Sequence, residues 1–228
     1  MQTHEVTNQP PPLVGHDVAD DPALLEGVVR EGAGWALDDL HRLGSLAGSA
    51  QAQQWAEQAN RYPPELRTHD WYGHRIDEVE FHPAWHALLD VAVSAGLAGA
   101  PWASDRPGAH VARAAGFGPG RGGPRLPDLD DVRRGAGAAP RAGARGGARA
   151  AADESHVRPG LRVPTSKRGL LAGMGMTEKQ GGSDVRAGTT VAAPAGDGSW
   201  RLYGDKWFTS APMCDLLMQN VLGDLSLE

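Results

Sequence analysis

A break in composition limits what this chain of 228 residues can fold into. From Gly116 to Arg158 it reads GFGPGRGGPRLPDLDDVRRGAGAAPRAGARGGARAAADESHVR, and its large apolar residues are Phe117, Leu126, Leu129, Val132 and Val157. A segment so poor in apolar side chains cannot offset its ordering entropy by burial. The chain is therefore expected to form its cores before and after this stretch, giving residues 1–116, 117–157, 158–214 and an atypical tail, 215–228. Three readings of 117–157 stand: text translated from the wrong frame of a GC-rich gene, a disordered linker, or an Arg/Gly-rich tail that binds nucleic acid through phosphate contacts. The first is preferred, because both flanks keep ordered-looking text. Asp128, Asp130 and Asp131 interrupt the basic charge, and no aromatic residues are interleaved with the arginines.

The amino-terminal part reads as helices. Pro10, Pro11 and Pro12 fix an extended arm. Asp21 before Pro22 is a cap followed by a first-turn proline, with Leu24, Leu25, Val28 and Val29 on one side of the helix they open. Trp35, Leu37, Leu40 and Leu43 suggest a second helix closed by Gly44. Ser49 caps a third, AQAQQWAEQANR, which Pro63 and Pro64 terminate. Asp70 to Gly73 is a turn, and Ile76, Val79 and Phe81 alternate poorly, so an irregular extended piece is expected there. Pro83 opens the clearest helix, with Trp85, Leu88, Leu89 and Ala92 on one face and Gly96 at its end.

Charge and cysteine usage narrow the function classes. A net charge of -6 makes no overall electrostatic case for nucleic acid. Cys214 is the single cysteine, which excludes an internal disulfide framework and a cysteine metal cluster. The start lacks an export signal and no window approaches membrane-spanning length, so a cytoplasmic protein with no membrane partner is expected. His69, His74, His82 and His86 invite a metal reading, but His82 sits at the cap before Pro83 and no acidic or thiol ligand completes a set, so no metal site is assigned. Trp71 and Tyr72 are read as core residues rather than a stacking platform.

The chemistry lies between Leu170 and Ser210. LLAGMGMTEKQGGSDVRAGTT runs into a Gly-rich turn carrying Thr177, Ser183 and Asp184, and SWRLYGDKWFTS follows after Gly196, Asp197 and Gly198, a hairpin signal. Trp200 to Thr209 is expected to be one aromatic-rich strand. The turn serves either as a hairpin connection or as a ligand cradle, since glycine lets backbone approach a bound group closely. GMGMTE lacks the remaining glycine of a dinucleotide fingerprint, and no Gly-Lys-Ser/Thr of a Walker loop follows. Glu178 and Asp184 read as turn-holding residues and Lys179 as a surface lysine. Beyond Cys214, DLLMQNVLGDLSLE reads as a short helix or tail.

Thr177-Glu178-Lys179-Gln180-Gly181-Gly182-Ser183-Asp184, paired with Trp207-Phe208-Thr209, resembles the flavin-contacting middle domain of acyl-CoA dehydrogenases. Lys179 stands where most members have proline. The form of the first motif and the amino-terminal text look like the bacterial adaptive-response branch, linked to DNA alkylation. The resemblance spans about 1 to 116 and about 158 to 214, less than half of a family subunit. It implies an α+β chain, with a helical amino-terminal domain followed by an incomplete β-barrel middle domain, and FAD as cofactor. It places Met174, Gly175, Met176 and Thr177 at the flavin pyrimidine edge and Ser183 on its pyrophosphate or ribityl side. Trp207, Phe208 and Thr209 flank the isoalloxazine. The family's catalytic base lies in the carboxy-terminal domain, so no catalytic residue is assigned here, and weak or absent catalysis is expected. The implied partners are an acyl thioester, double-stranded DNA for a full-length member, and a second copy of the chain if the subunit is intact. The competing functions are a non-enzymatic DNA-associated protein of the alkylation response and a fragment without stable function.

Overall fold

The computed structural model describes residues 7, 14–17, 19–97, 106–116, 172–209, 211 and 213–219. The proline arm at 10–12, the segment 117–157 and the end from 220 lie outside the described residues. The architecture is α+β, with five α-helices among the described residues of the first part and short strands concentrated in the second.

Local chemistry starts each of the early helices. In α1, Pro22–Arg30, the Asp21 carboxylate accepts from the Ala23 and Leu24 amides, satisfying donors that have no intrahelical partner. A 3-10 turn, Gly34–Ala36, leads into α2, Leu37–Ala47, whose first turn carries Asp38 and Asp39 on the positive end of the helix dipole. Ser49 caps α3, Ala50–Arg61, with its hydroxyl 3.2 Å from the Ala52 amide. His82 caps α4, Pro83–Ser94, its Nδ1 accepting from the Ala84 amide at 3.2 Å. The last described helix, α5, spans Ala109–Gly116.

Gly44 does not end α2. It is buried in mid-helix because Asp17 and Ala19 lie against it; a Cβ there would come 2.0 Å from Asp17 Oδ1 and 2.7 Å from Ala19 Cβ. A glycine that resembles a stop signal is instead the point of closest approach between two segments. The helix ends three residues later, at Ala47 before Gly48.

Among the described residues three buried clusters organise this part, one of them formed by Leu89, Ala92 and Leu97 against Leu43, Trp85 and Val93. Ala19, Val28, Ala33, Ala36, Leu40 and Ala115 form one buried cluster, joining α1, α2 and α5. Ala56 and Ala59 of α3 meet Ala84 and Leu88 of α4 in another, with Trp55 and Trp85 alongside. Small residues on α3 let the two helices approach closely, and Leu88 and Leu89 each contribute about 1.5–3 kcal/mol by leaving water.

Between α3 and α4 the chain forms an antiparallel pair, β1 (Glu65–His69) and β2 (Arg75–Glu80), and the irregularity expected of this extended piece lies in a register shift between Arg67 and His69 and in Asp77 at φ 48°. Its alternation is weak because neither strand packs a buried face on the helices. Turn chemistry sets the register instead: Asp70 Oδ1 accepts from the Tyr72 and His74 amides, and Gly73 adopts φ 83°. Trp71 and Tyr72 stand at its tip, 98% and 87% exposed, and are not core residues as expected.

In the second part, β3 (Ala172–Gly175) pairs in parallel with β6 (Leu216–Gln219), and β4 (Val191–Pro194) pairs antiparallel with β5 (Trp200–Tyr203). Among the described residues these pairs close no barrel. Two expectations are corrected. The strand through Trp207 stops at Tyr203, and Phe208 takes φ 52°, a left-handed conformation that no strand continues through. Leu216–Gln219, after Cys214, form a strand where a short helix or tail was expected, paired with the edge that β3 supplies; the rest of that segment lies outside the described residues.

Candidate functional site

The second part is built around a buried carboxylate. Glu178 lies three residues beyond the end of β3 and is 4% exposed. Its Oε1 accepts from the Thr190 amide at 3.1 Å, the Thr190 hydroxyl at 2.7 Å and Lys206 Nζ at 2.6 Å. Its Oε2 accepts from the Thr189 amide at 2.6 Å, the Thr189 hydroxyl at 2.9 Å and Gln180 Nε2 at 2.7 Å. The Lys206 ammonium, then the Thr189 amide and the Thr190 hydroxyl, hold this carboxyl far below the usual carboxylate range against the opposing effect of burial. Lys206 is as deeply buried, with its side chain 4% exposed. A group so fixed as an anion cannot exchange protons near neutrality, so Glu178 holds the turn, as its place in the motif suggests. Asp184 has a similar local task, its carboxylate accepting from the Arg186 amide at 3.1 Å to start the 3-10 turn Val185–Ala187.

Two motifs thirty residues apart meet at the edge of this network. The Trp207 amide donates to the Thr177 carbonyl at 2.8 Å. Gly175 closes the same edge: a Cβ on it would lie 3.1 Å from Thr209 Oγ1 and 3.4 Å from Lys206 Cβ, tighter than most side-chain contacts. The Thr177 side chain rests against Gly182, where a Cβ would come 2.8 Å from its hydroxyl. Gly175, Thr177, Trp207 and Thr209 are thus brought together. Met174 is half-buried in β3 and Met176 is exposed beside Thr177. Ser183 is exposed in the turn after Gly182. Phe208 is 82% exposed, its ring set edge-on to Trp207 with centroids 6.2 Å apart.

The side chains assigned to this edge are themselves uncharged. Met176, Trp207 and Phe208 present apolar surface, Thr177, Ser183 and Thr209 carry hydroxyls, and the buried Glu178 and Lys206, next to Thr177 and Trp207 in the chain, neutralise each other. Such a set suits a planar, mostly neutral ring held by a few hydrogen bonds. The residues that sequence reasoning missed are Lys206, assigned to a strand, and the Thr189-Thr190 pair. No local signal marks them, since Lys206 meets Glu178 across 28 positions.

The histidines divide among ordinary roles. His74 Nδ1 pairs with Asp70 at 2.9 Å, and His86 packs beside Phe81 and Trp85 with its pKa lowered by burial. Among the described residues no group of three or more His, Cys, Asp or Glu is placed to hold a metal, and no helix is long and apolar enough to cross a membrane.

Comparison with known proteins agrees with this architecture. Residues 8–118 match the family model of the adaptive response protein AidB N-terminal domain, and residues 173–223 match that of the acyl-CoA dehydrogenase middle domain. The second match contains every candidate site residue and runs through β6. AidB of Escherichia coli (strain K12), whose name assigns it to the acyl-CoA dehydrogenases, is 42% identical over 99% of this chain. The chain spans 43% of that relative's length. Among solved structures, Caenorhabditis elegans ACDH-11 in complex with C11-CoA superposes with a TM-score of 0.69 at 22% identity, covering 96% of this chain and 38% of that one. The apo form of Bd2924 gives 0.63 at 24%, covering 92% of this chain and 43% of that one. At these identities the two structures speak for the fold alone. Over the matched residues, the chain belongs to the acyl-CoA dehydrogenase family, with an AidB-type amino-terminal domain joined to an acyl-CoA dehydrogenase middle domain.

Proposed function

We propose that residues 172–209 form the flavin-contacting portion of an FAD site of the acyl-CoA dehydrogenase type, acting on an acyl thioester. The observation that carries this reading is the hydrogen bond from the Trp207 amide to the Thr177 carbonyl, which draws the two halves of the motif into one edge. The Met176 and Thr177 backbone and the Thr177 hydroxyl serve the pyrimidine edge, Ser183 the pyrophosphate or ribityl side, Trp207 a ring face, and Thr209 the region of the reactive nitrogen. Neutral hydroxyl and amide donors suit a cofactor that already carries phosphate charge. FAD, when bound, supplies a hydride acceptor for the β-carbon of the substrate. This chain's residues orient and hold; none is nominated as the base that takes the α-proton. The division into units at 116 and 158 belongs to the same proposal, with 215–219 joined to the second unit through β6.

The DNA-associated alternative draws no support from the described surface, where Arg30 pairs with Glu26, Arg42 with Asp39, Arg67 with Glu80 and Arg75 with Asp77. The test is to purify the full chain with added FAD and record bound flavin and its absorbance spectrum. Bound, spectrally perturbed flavin that falls in Thr177→Ala and Trp207→Ala is the expected result. Equal flavin content and spectrum in both variants overturns the assignment.

A further inference from the structure

The Glu178 to Lys206 ion pair is larger in scale than a turn requires. Each carboxylate oxygen takes three donors, and among the described residues no buried side-chain nitrogen or oxygen lacks a partner. Burying an ion pair contributes little net stability compared with a packed apolar pair, so its use has to be sought in geometry. Here the geometry is specific. Glu178 adjoins Thr177 in the chain and Lys206 adjoins Trp207, so the 2.6 Å ion pair and the 2.8 Å Trp207 to Thr177 bond are consecutive ties between the same two segments. Thr189 and Thr190 anchor the carboxylate to the start of β4, which fixes the turn from a third direction. Gly175, lying against Thr209 and Lys206, leaves no slack on the far side.

We propose that Glu178 and Lys206 act together as positioning residues, setting the spacing of Thr177 against Trp207 and Thr209 and presenting a charge-neutral edge to the flavin; this rests on the FAD reading above. Removing the ammonium alone leaves a carboxylate beside the ring, and an uncompensated negative charge opposes the addition of electrons to it. A purely structural brace would not move the flavin's electronics; this pair does.

The experiment compares the full chain with Lys206→Met, Lys206→Arg and Glu178→Gln, using FAD as the probe. Amide hydrogen exchange at Trp207 reports the tie itself, with the α4 amides as a control for folding. In Lys206→Met we expect faster exchange at Trp207, FAD affinity weakened about 10- to 100-fold, the size found for residues that orient metal ligands from behind, and a more negative flavin midpoint potential. Lys206→Arg, which keeps the charge, restores most of the affinity and potential. If the parent chain binds no FAD, the functional reading fails on that fact alone, whereas the exchange data still decide whether the pair sets the edge. Unchanged Trp207 protection in both Lys206→Met and Glu178→Gln overturns the positioning role, as does lost protection with parental FAD affinity and potential.

Discussion

Gly204 offers a sharp test of how tightly the site is closed. It follows β5 and faces Thr190, and a Cβ on it would lie 2.2 Å from Thr190 Oγ1, 2.7 Å from Cβ and 2.8 Å from Cα. Rotating the threonine relieves the first clash but not the last, because Cα is backbone. Raising that 2.8 Å to an ordinary 3.4 Å contact separates the segments by about 0.6 Å. The displaced residue is the one whose amide and hydroxyl hold Glu178 at 3.1 and 2.7 Å, so the strain falls on the buried network. Overpacking of this kind costs about 1–3 kcal/mol. Replacing glycine also restricts the unfolded chain, which returns about 0.4–1 kcal/mol. The net for Gly204→Ala is a loss of about 1–2 kcal/mol, or about 2–8 °C in Tm at a chain of this size. Gly27→Ala is the matched control: within α1 its added methyl meets nothing nearer than the Arg30 guanidinium at 3.9 Å, and it should stabilise by about 0.5–1 kcal/mol. Thermal melts of both variants, with hydrogen exchange of the peptide spanning 186–209, read the outcome. A Gly204→Ala chain that melts at or above the parent, with that peptide equally protected, refutes the close approach.

Other perturbations bear on separate links. Leu89, 2% exposed, should lose about 2–5 kcal/mol on Leu89→Ala, measured by denaturant unfolding, and a loss below 1 kcal/mol would contradict its burial. Asp21→Ala removes the acceptor for the Ala23 and Leu24 amides and should cost about 0.5–2 kcal/mol, whereas Asp21→Asn should cost less. The depressed Glu178 carboxyl makes the second part pH-sensitive in one direction. Its contribution is fully present above the ordinary value of 4.5, declines as pH falls below it, and is lost only far into acid. Exchange rates at Thr189 and Thr190 should therefore rise below that point in the parent and lose this dependence in Glu178→Gln. His86 acts a little higher: half-buried and neutral, it resists protonation, so stability falls as pH drops below 6.5, and His86→Leu should flatten that limb of the pH profile.

The sequence was a good guide wherever one turn of chain contains the whole interaction. Asp21, Ser49 and His82 announce their helices because the side chain and the amide it caps lie two or three residues apart. The hairpin turn between β4 and β5 is equally local, with Asp197 accepting from Ser199 and glycines at positive φ on either side. The family motif likewise marked Thr177, Trp207 and their neighbours as a group. Elsewhere local text misled. Gly44 looked like a stop because nothing in α2 reveals that Asp17 and Ala19 pass over it. Residues 204–209 looked like strand because aromatic residues favour extended backbone, yet their path is set by ties to Glu178 and Thr177. Leu216 to Gln219 carried no strand signal without the β3 edge that pairs with it.

What the sequence alone determined, then, is where α1, α3 and α4 begin and which residues belong to one motif. Tertiary structure alone decided that Glu178 finds Lys206 across 28 positions, that Thr177 and Trp207 share an edge, and that β6 completes β3. The difference is physical. A cap is stabilised by groups already within reach, while a long-range pair forms only after the intervening chain has been closed, and which partner then lies within 3 Å depends on packing that no local stretch encodes.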